Sequence, residues 1–374
     1  MKKVFGVHSR RGYWVIALFF VVLFSTIILL SLNKLTSQKL SAQSKITSPA
    51  SNQVFDPVLP DAPVYLTKDF NFHNDYQQES WQVYANVTDQ KGDSYGIQWS
   101  YFRLATEDRK EEGWRNPQLY IAYAVVSNAH RVWQHQRVAR GGIGQAGTSA
   151  QPFSLWIDNW FWRSLGTSPF TGHLSAKSDD FSVALTTFEK GPYVIPGEKG
   201  YIKKHEMLPL ASHKISHPFV AVQGTLQLGN GVPIVVEGQA WISQEWSSDL
   251  AVQDRQGWDW FVFNLDEETT LSVSHYRYAK QSPYVFGTLS KRDGTSLNLS
   301  SDKLLVEPIR VSRLNDGRSV PLQWSIRVPD QNIDLTTEAI NQEMWLPFVV
   351  PFWQGTVHTT GSHQGSGFMQ LAGY

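Results

Sequence analysis

From residue 80 onward, apolar and polar positions alternate with a period of two. Tyr95, Ile97, Trp99 and Tyr101 share one face of an extended segment, and Gly96, Gln98 and Ser100 share the other. Phe181, Val183 and Leu185 alternate with Ser182, Ala184 and Thr186 in the same way. Val220, Val222, Gly224, Leu226 and Leu228 line one face of a segment that runs into Gly229-Asn230-Gly231, a strong hairpin signal. On the return, Val232, Ile234, Val236, Gly238, Ala240 and Ile242 form one face, and Val235, Glu237, Gln239, Trp241, Ser243 and Glu245 form the other. After the N-terminus, the one window with a helical pattern is Leu335–Met344. The pattern predicts an all-β body of antiparallel strands, hence a sandwich or a barrel.

A weak internal repeat sharpens this expectation. Trp81 and Trp258 are each followed after three residues by an aromatic (Tyr84, Phe261) and after eight by Asp (Asp89, Asp266). Each unit then passes a polar turn and a second strand that ends in aromatic-Arg, as Phe102-Arg103 and Tyr276-Arg277. A guanidinium stacked on an indole would plug one end of a lipocalin-type barrel. The fold class expected is therefore two tandem lipocalin-like antiparallel β-barrel domains after an N-terminal transmembrane helix. Their boundaries are 61–248 and 255–374, with the polar loop Ser247–Gln256 at the junction.

The N-terminus differs in kind. Trp14–Leu32 is 19 residues without charge, preceded by Lys2, Lys3, Arg10 and Arg11. A spanning helix needs about 17–25 apolar residues, and a signal-peptide core about 7–15. Residues 1–12 are expected in the cytoplasm, 13–32 as a transmembrane anchor or a signal, and 33–60 as a flexible linker. The body is then exported. It would be periplasmic on a single-pass inner-membrane protein, or secreted if the segment is cleaved.

Charge follows the same division. The chain has 374 residues with 33 basic and 33 acidic side chains. Residues 1–54 hold seven of the basic ones and no Asp or Glu, so the remainder carries 26 basic against 33 acidic groups and is seven charges negative. Such a body has no basic footprint for nucleic acid. The absence of Cys excludes disulfides, thiolate metal sites and a Cys nucleophile. Aromatic residues make up 13% and charged residues 18%, so binding energy is expected from rings rather than ions. His213 and His217 are four apart, but Pro218 follows and no helix is expected there, so a metal pair is not anticipated. No Gly-x-Ser-x-Gly elbow, phosphate loop or dinucleotide fingerprint occurs.

Longer motifs carry a resemblance. They are His73-Asn-Asp-Tyr76 with Glu79-Ser-Trp81, Tyr95-Gly-Ile-Gln-Trp-Ser-Tyr-Phe-Arg103, Arg137-Val-Ala-Arg-Gly-Gly142, Leu155-Trp-Ile-Asp-Asn-Trp160, Gly238-Gln-Ala-Trp-Ile-Ser-Gln-Glu-Trp-Ser247, Gly257-Trp-Asp-Trp-Phe261 and Phe352-Trp-Gln-Gly-Thr-Val357. Over about residues 70–374 the chain resembles the family that joins bacterial carotenoid 1,2-hydratases (hydroxyneurosporene synthases) with AttH-like secreted proteins. The resemblance implies two lipocalin-like domains. It also implies a hydratase or related activity on an apolar substrate in some members. One departure is that the family stretch close to Asp-His-Glu-Trp is Ser243-Gln244-Glu245-Trp246 here, and Gln244 cannot act as an acid or a base.

Three functions remain open at this point. The first is a carrier that binds a small apolar, lipid- or isoprenoid-like ligand in an aromatic cleft, tethered to the inner membrane and working beside a transporter complex. The second is a metal- and cofactor-free hydratase or isomerase, in which Asp259 between Trp258 and Trp260 is the general acid and Glu245 assists. The third is a carbohydrate-binding module. Candidate catalytic residues are Asp259 and Glu245. Candidate ligand-binding residues are Gln239, Trp241, Trp246, Trp260, Tyr276, His73 and Glu79. Structural alternatives are an Asp259–Arg277 pair, an ion-paired Glu245 and a locally satisfied His73.

Overall fold

The computed structural model describes residues 55–107, 111–248 and 255–374. The expected anchor and the linker up to residue 54 lie outside these residues, as does most of the expected junction loop. Among the described residues, no helix is long and apolar enough to cross a membrane. The body is all β apart from short helical turns such as α1 (Leu66–Asp69).

The first sheet has twelve strands. They are β1 (Gln78–Asp89), β2 (Ser94–Ala105), β3 (Gln118–Ser127), β4 (Val132–Arg140), β5 (Ala146–Ala150), β6 (Phe153–Ile157), β7 (Trp160–Ser164), β8 (Gly172–Lys177), β9 (Phe181–Glu189), β10 (Tyr201–Lys203), β11 (Ala211–Leu228) and β12 (Ile234–Ser247). Their spatial order is β4-β3-β2-β1-β12-β11-β9-β8-β7-β6-β5, with β10 added beside β11. The first and last strands therefore pair in the middle, and the sheet curls into a barrel that nearly closes between β4 and the strands around β6. Arg137 of β4 spans that gap. It donates to the Ile157 carbonyl at 3.2 Å and the Lys177 carbonyl at 3.1 Å, and its guanidinium lies 4.3 Å from the Trp160 ring centre. Inside, Trp81, Trp99, Tyr101, Trp160 and Phe181 are buried in one apolar core. The Tyr101 hydroxyl crosses the interior to the Gly147 and Trp156 carbonyls, each at 2.8 Å.

The second sheet has ten strands. They are β13 (Arg255–Asn264), β14 (Thr269–Tyr278), β15 (Gln281–Lys291), β16 (Ser296–Leu299), β17 (Leu305–Arg313), β18 (Ser319–Val328), β19 (Ile333–Ala339), β20 (Trp345–Leu346), β21 (Phe352–Gly361) and β22 (Ser366–Ala372). They run β16-β15-β14-β13-β22-β21-β19-β18-β17, with β20 beside β21. This sheet is a half-barrel rather than the closed barrel expected. Edge strand β17 explains part of the difference. It is exposed along most of its length, contains Pro308 and shifts register at Pro308/Arg310 and Arg310/Val311, all of which discourage further pairing. The window Leu335–Met344 is not helical. Its first half lies in β19, where pairing with β18 and β21 overrides local propensity.

The two sheets meet face to face along a seam. Tyr84 of β1 and Trp241 of β12 pack with Trp260 and Val262 of β13 and Phe368 of β22. The Tyr84 ring centre is 5.1 Å from that of Trp260 and 5.4 Å from that of Phe368. Tyr123 of β3 stacks on Phe348 at 4.4 Å farther along. Strands such as β2 are consequently buried on both faces. Gly96 permits the close approach of β2 to β21, because a Cβ there would lie 2.2 Å from Thr356 Oγ1.

The expected Arg–Trp plugs do not form. Trp81 faces the first interior, whereas Trp258, its partner in the repeat, faces the seam. Arg277 instead stacks on Tyr374, with its Cζ 4.0 Å from the ring centre.

If Arg137 holds the barrel edges together, Arg137→Met will lower stability by about 1–3 kcal/mol. Urea denaturation would show the loss as a lower midpoint at unchanged slope. An unmoved midpoint would mean that the gap is held without this side chain.

Candidate functional site

The nine candidate residues separate into three places, because neighbours on a strand face opposite sides of the sheet. His73, Glu79 and Trp246 lie at one end of the first barrel. Asp259 lies inside the second sheet. Gln239, Trp241, Glu245, Trp260 and Tyr276 face the seam.

At the barrel end, Glu79 is a fully buried carboxylate. His73 Nδ1 is 2.7 Å from its Oε1 and the His73 backbone N–H donates to Oε2 at 2.9 Å. Gln244 Nε2 donates to Oε1 and to the Asn71 carbonyl, both at 2.8 Å. Arg103 Nε lies 3.6 Å from Oε2, and its Nη2 donates to the His73 and Tyr76 carbonyls at 2.8 Å. His73 Nε2 reaches Asp69 Oδ1 at 3.4 Å, and its ring stacks on Trp246 at 3.7 Å. Burial alone would lower the His73 pKa, but Glu79 and Asp69 outweigh it and hold the group above its ordinary value. Burial lowers the Arg103 pKa despite Glu79. These residues do come together, but as a closed plug that ties segment 69–77 over the barrel end.

The second sheet contains a counterpart. Asp259 Oδ2 is 2.8 Å from His275 Nδ1 and accepts from Arg277 Nε at 3.0 Å, and Oδ1 accepts from the Tyr374 hydroxyl at 2.9 Å. This corrects the expected environment. Trp258 and Trp260 flank Asp259 in sequence but project to the opposite face, so no indole pair encloses the carboxyl. Both of its oxygens are instead occupied by donors. Each sheet thus buries one carboxylate with one Arg and one His. In that ion cluster, not in the Trp positions, the two halves are alike.

Glu245 faces the seam between two lysines that sequence reasoning missed. Lys204 Nζ is 2.6 Å from Oε1 and Lys214 Nζ is 3.3 Å from Oε2, with 27% of the Glu245 side chain exposed. Burial would raise the Glu245 carboxyl, but Lys204 and Lys214 hold it well below the ordinary carboxylate range. It is therefore ionised at neutral pH and cannot serve as a proton donor. Lys214 could be found only from the register. From the Gly229–Gly231 turn, Leu226 pairs with Ile234 and Val220 with Ala240. A bulge between His217 and Val220 then shifts the count, so Lys214 opposes Glu245 rather than Trp246. Lys204 follows short β10, which has no alternating signal.

The seam aromatics do not form an open cleft. Trp241 and Trp260 are consumed in packing, and Tyr276 stands opposite Trp258 at the edge of the same face. Polar groups caught in the seam are chained together. Trp258 Nε1 donates to Gln370 Oε1, and Gln370 Nε2 donates to Gln354 Oε1, both at 2.8 Å. Seam atoms left without a hydrogen-bond partner include Tyr84 Oη, Asn86 Oδ1, Trp241 Nε1, Gln354 Nε2 and Thr356 Oγ1. Each costs about 1–3 kcal/mol when dry, so these positions call for a water or a ligand.

Space exists beside them. A cavity of about 350 Å³ opens between the sheets, lined from the first by Asn86, Tyr95 and Gln239 and from the second by Met344, Thr356 and His358. It adjoins a shallow depression bordered by Asn264, Asp266 and Glu267, with Gln239, His358 and Ser366 common to both. Of the nine candidates, only Gln239 lines the cavity. Its other walls mix short polar side chains, such as Asn86, Ser94 and Thr356, with Val87, Ile340 and Met344, and carry no sequence signal beyond alternation. His213 and His217 lie on β11, facing the first interior, and no described group of His, Asp and Glu is arranged to hold a metal ion.

The AttH-like family model matches residues 57–374. An AttH protein from Nitrosomonas europaea aligns over 86% of this chain and 100% of its own, with 25% identity and a TM-score of 0.76. A kievitone hydratase from Nectria haematococca aligns over 87% of this chain and 98% of its own, with 16% identity and a TM-score of 0.63. No curated protein matches the chain significantly.

The raised His73 value fixes a pH dependence. A group raised on folding contributes stability that is complete below its ordinary value of 6.5 and is lost as pH rises through the folded value. The stability difference between the natural protein and His73→Gln should therefore be full below pH 6.5 and shrink as the pH rises above it. A difference that stays flat through that rise in urea titrations would rule out a charged His73.

Proposed function

The chain belongs to the AttH-like family, and from that membership we propose that it is a binding protein that holds a small molecule of mainly apolar skeleton between its two sheets. The body is displayed outside the cytoplasm, with the uncharged segment 13–32 as its tether to the inner membrane. The observation that carries this reading is the cavity of about 350 Å³ walled by both sheets beside unpaired seam atoms. Concave sites where two layers meet are where small ligands bind. The aromatic seam next to it acts as a rigid frame, since its rings are already packed against one another.

Carriage is favoured over catalysis by the state of the carboxylates. Glu245 is neutralised by two lysines, and Asp259 and Glu79 have their oxygens taken by donors. The second reading, hydration of an alkene, is supported by the fold shared with a kievitone hydratase. The third reading, a carbohydrate module, would need aromatic faces open to solvent, and Trp241 and Trp260 are buried.

Native purification followed by mass spectrometry of the released small molecules tests binding directly, and a protein that carries none would count against it. Gly96→Val should reduce occupancy at least tenfold, because the new side chain meets Thr356 at the cavity wall, and should cost about 1–3 kcal/mol of stability. Asp259→Asn separates the first two readings. A carrier keeps its affinity and shows no turnover in either form, whereas loss of a measurable conversion in the variant alone would establish the hydratase.

A further inference from the structure

The cavity walls restrict the charge of what they hold, an inference that rests on the binding reading above. No described Asp, Glu, Lys or Arg lines the cavity. Its polar groups are amides, hydroxyls and one imidazole, among them Asn86, Asn128, Gln239, Asn341, Thr356 and His358, set beside the apolar Val87, Ile340 and Met344. Asn86 Oδ1 and Thr356 Oγ1 have no hydrogen-bond partner. Asn86 offers an acceptor and Thr356 both a donor and an acceptor.

We infer that the ligand is uncharged and carries at least one hydroxyl on its apolar skeleton. Three physical arguments exclude the other classes. A bare hydrocarbon would leave Asn86 and Thr356 dry and unpaired. A carboxylate or phosphate would lose its hydration without meeting a counter-charge, and the adjoining depression carries the acidic Asp266 and Glu267. A cation would be attracted by those two residues but would find no anion inside. An alcohol satisfies the walls, since its hydroxyl can donate to Asn86 Oδ1 and accept from Thr356.

One short skeleton with four head groups tests this. Geraniol, geranic acid, geranylamine and the hydrocarbon myrcene are each dialysed to equilibrium against the full-length protein in detergent, with protein-free micelles as the blank. Geraniol should bind at least tenfold more tightly than the other three at neutral pH. Thr356→Val and Asn86→Leu should each bring geraniol close to myrcene while circular dichroism stays unchanged. Equal or tighter binding of geranate or geranylamine would overturn the uncharged class and leave the cavity reading standing. Myrcene matching geraniol would overturn the oxygen requirement alone. Failure of all four to bind, with Gly96→Val bound to no less of any co-purified molecule, would remove the binding reading itself.

Discussion

Several strands of this protein are buried on both faces, and much of the structure follows from that constraint. One face of β1, β2 and β12 fills the first barrel while the other meets the second sheet. A strand in that position cannot send its polar residues to water. Trp258, Gln370 and Gln354 of the second sheet therefore bond to one another within the seam, and Gln98 of the first reaches across it to the Gln354 carbonyl. Where that chain of partners runs out, the sheets part and the cavity begins. The cavity is thus the place at which close packing and polar satisfaction can no longer both be met.

The buried ion clusters serve a different need. Glu79 with Arg103 and His73, and Asp259 with Arg277 and His275, sit inside sheets otherwise filled with rings. Such clusters add little net stability over an apolar filling, but they tolerate only one arrangement of their partners. The first pins segment 69–77 and the second pins Tyr374. Both use residues next to strands that pair with the opposite end of their sheet, so each cluster fixes where that sheet's first and last strands lie.

The faces of the strands were legible from the period of two, and the outer face from Gln239 to Glu245 is as the alternation predicts. The hairpin at Gly229–Gly231 was legible from its turn residues. Three things were not. Alternation says which residues share a face but not what meets that face, so Trp241 and Trp260 suggested an open cleft where the structure has packed rings. Adjacent residues were grouped by motif although a sheet separates them, as with Glu245 and Trp246 or Asp259 and Trp260. Cross-strand partners were hidden by the bulge in β11, because a register counted from the turn is off by one beyond it.

That bulge also governs how this chain can change length. Between His217 and Val220 the sheet carries one residue more than its neighbour needs, and β11 exchanges β9 for the Val194 segment and β10 as its outer partner. Loss of a single residue there would not shorten a loop. It would remove the bulge and leave one residue opposite Trp241, so that His217 still opposes Ile242 and His213, Ile215 and His217 stay on the interior face with Val220. A residue lost from either half of β11 away from the bulge would instead put its alternation out of step with β12, so the spare residue makes this stretch the part of the strand that can absorb a change of length.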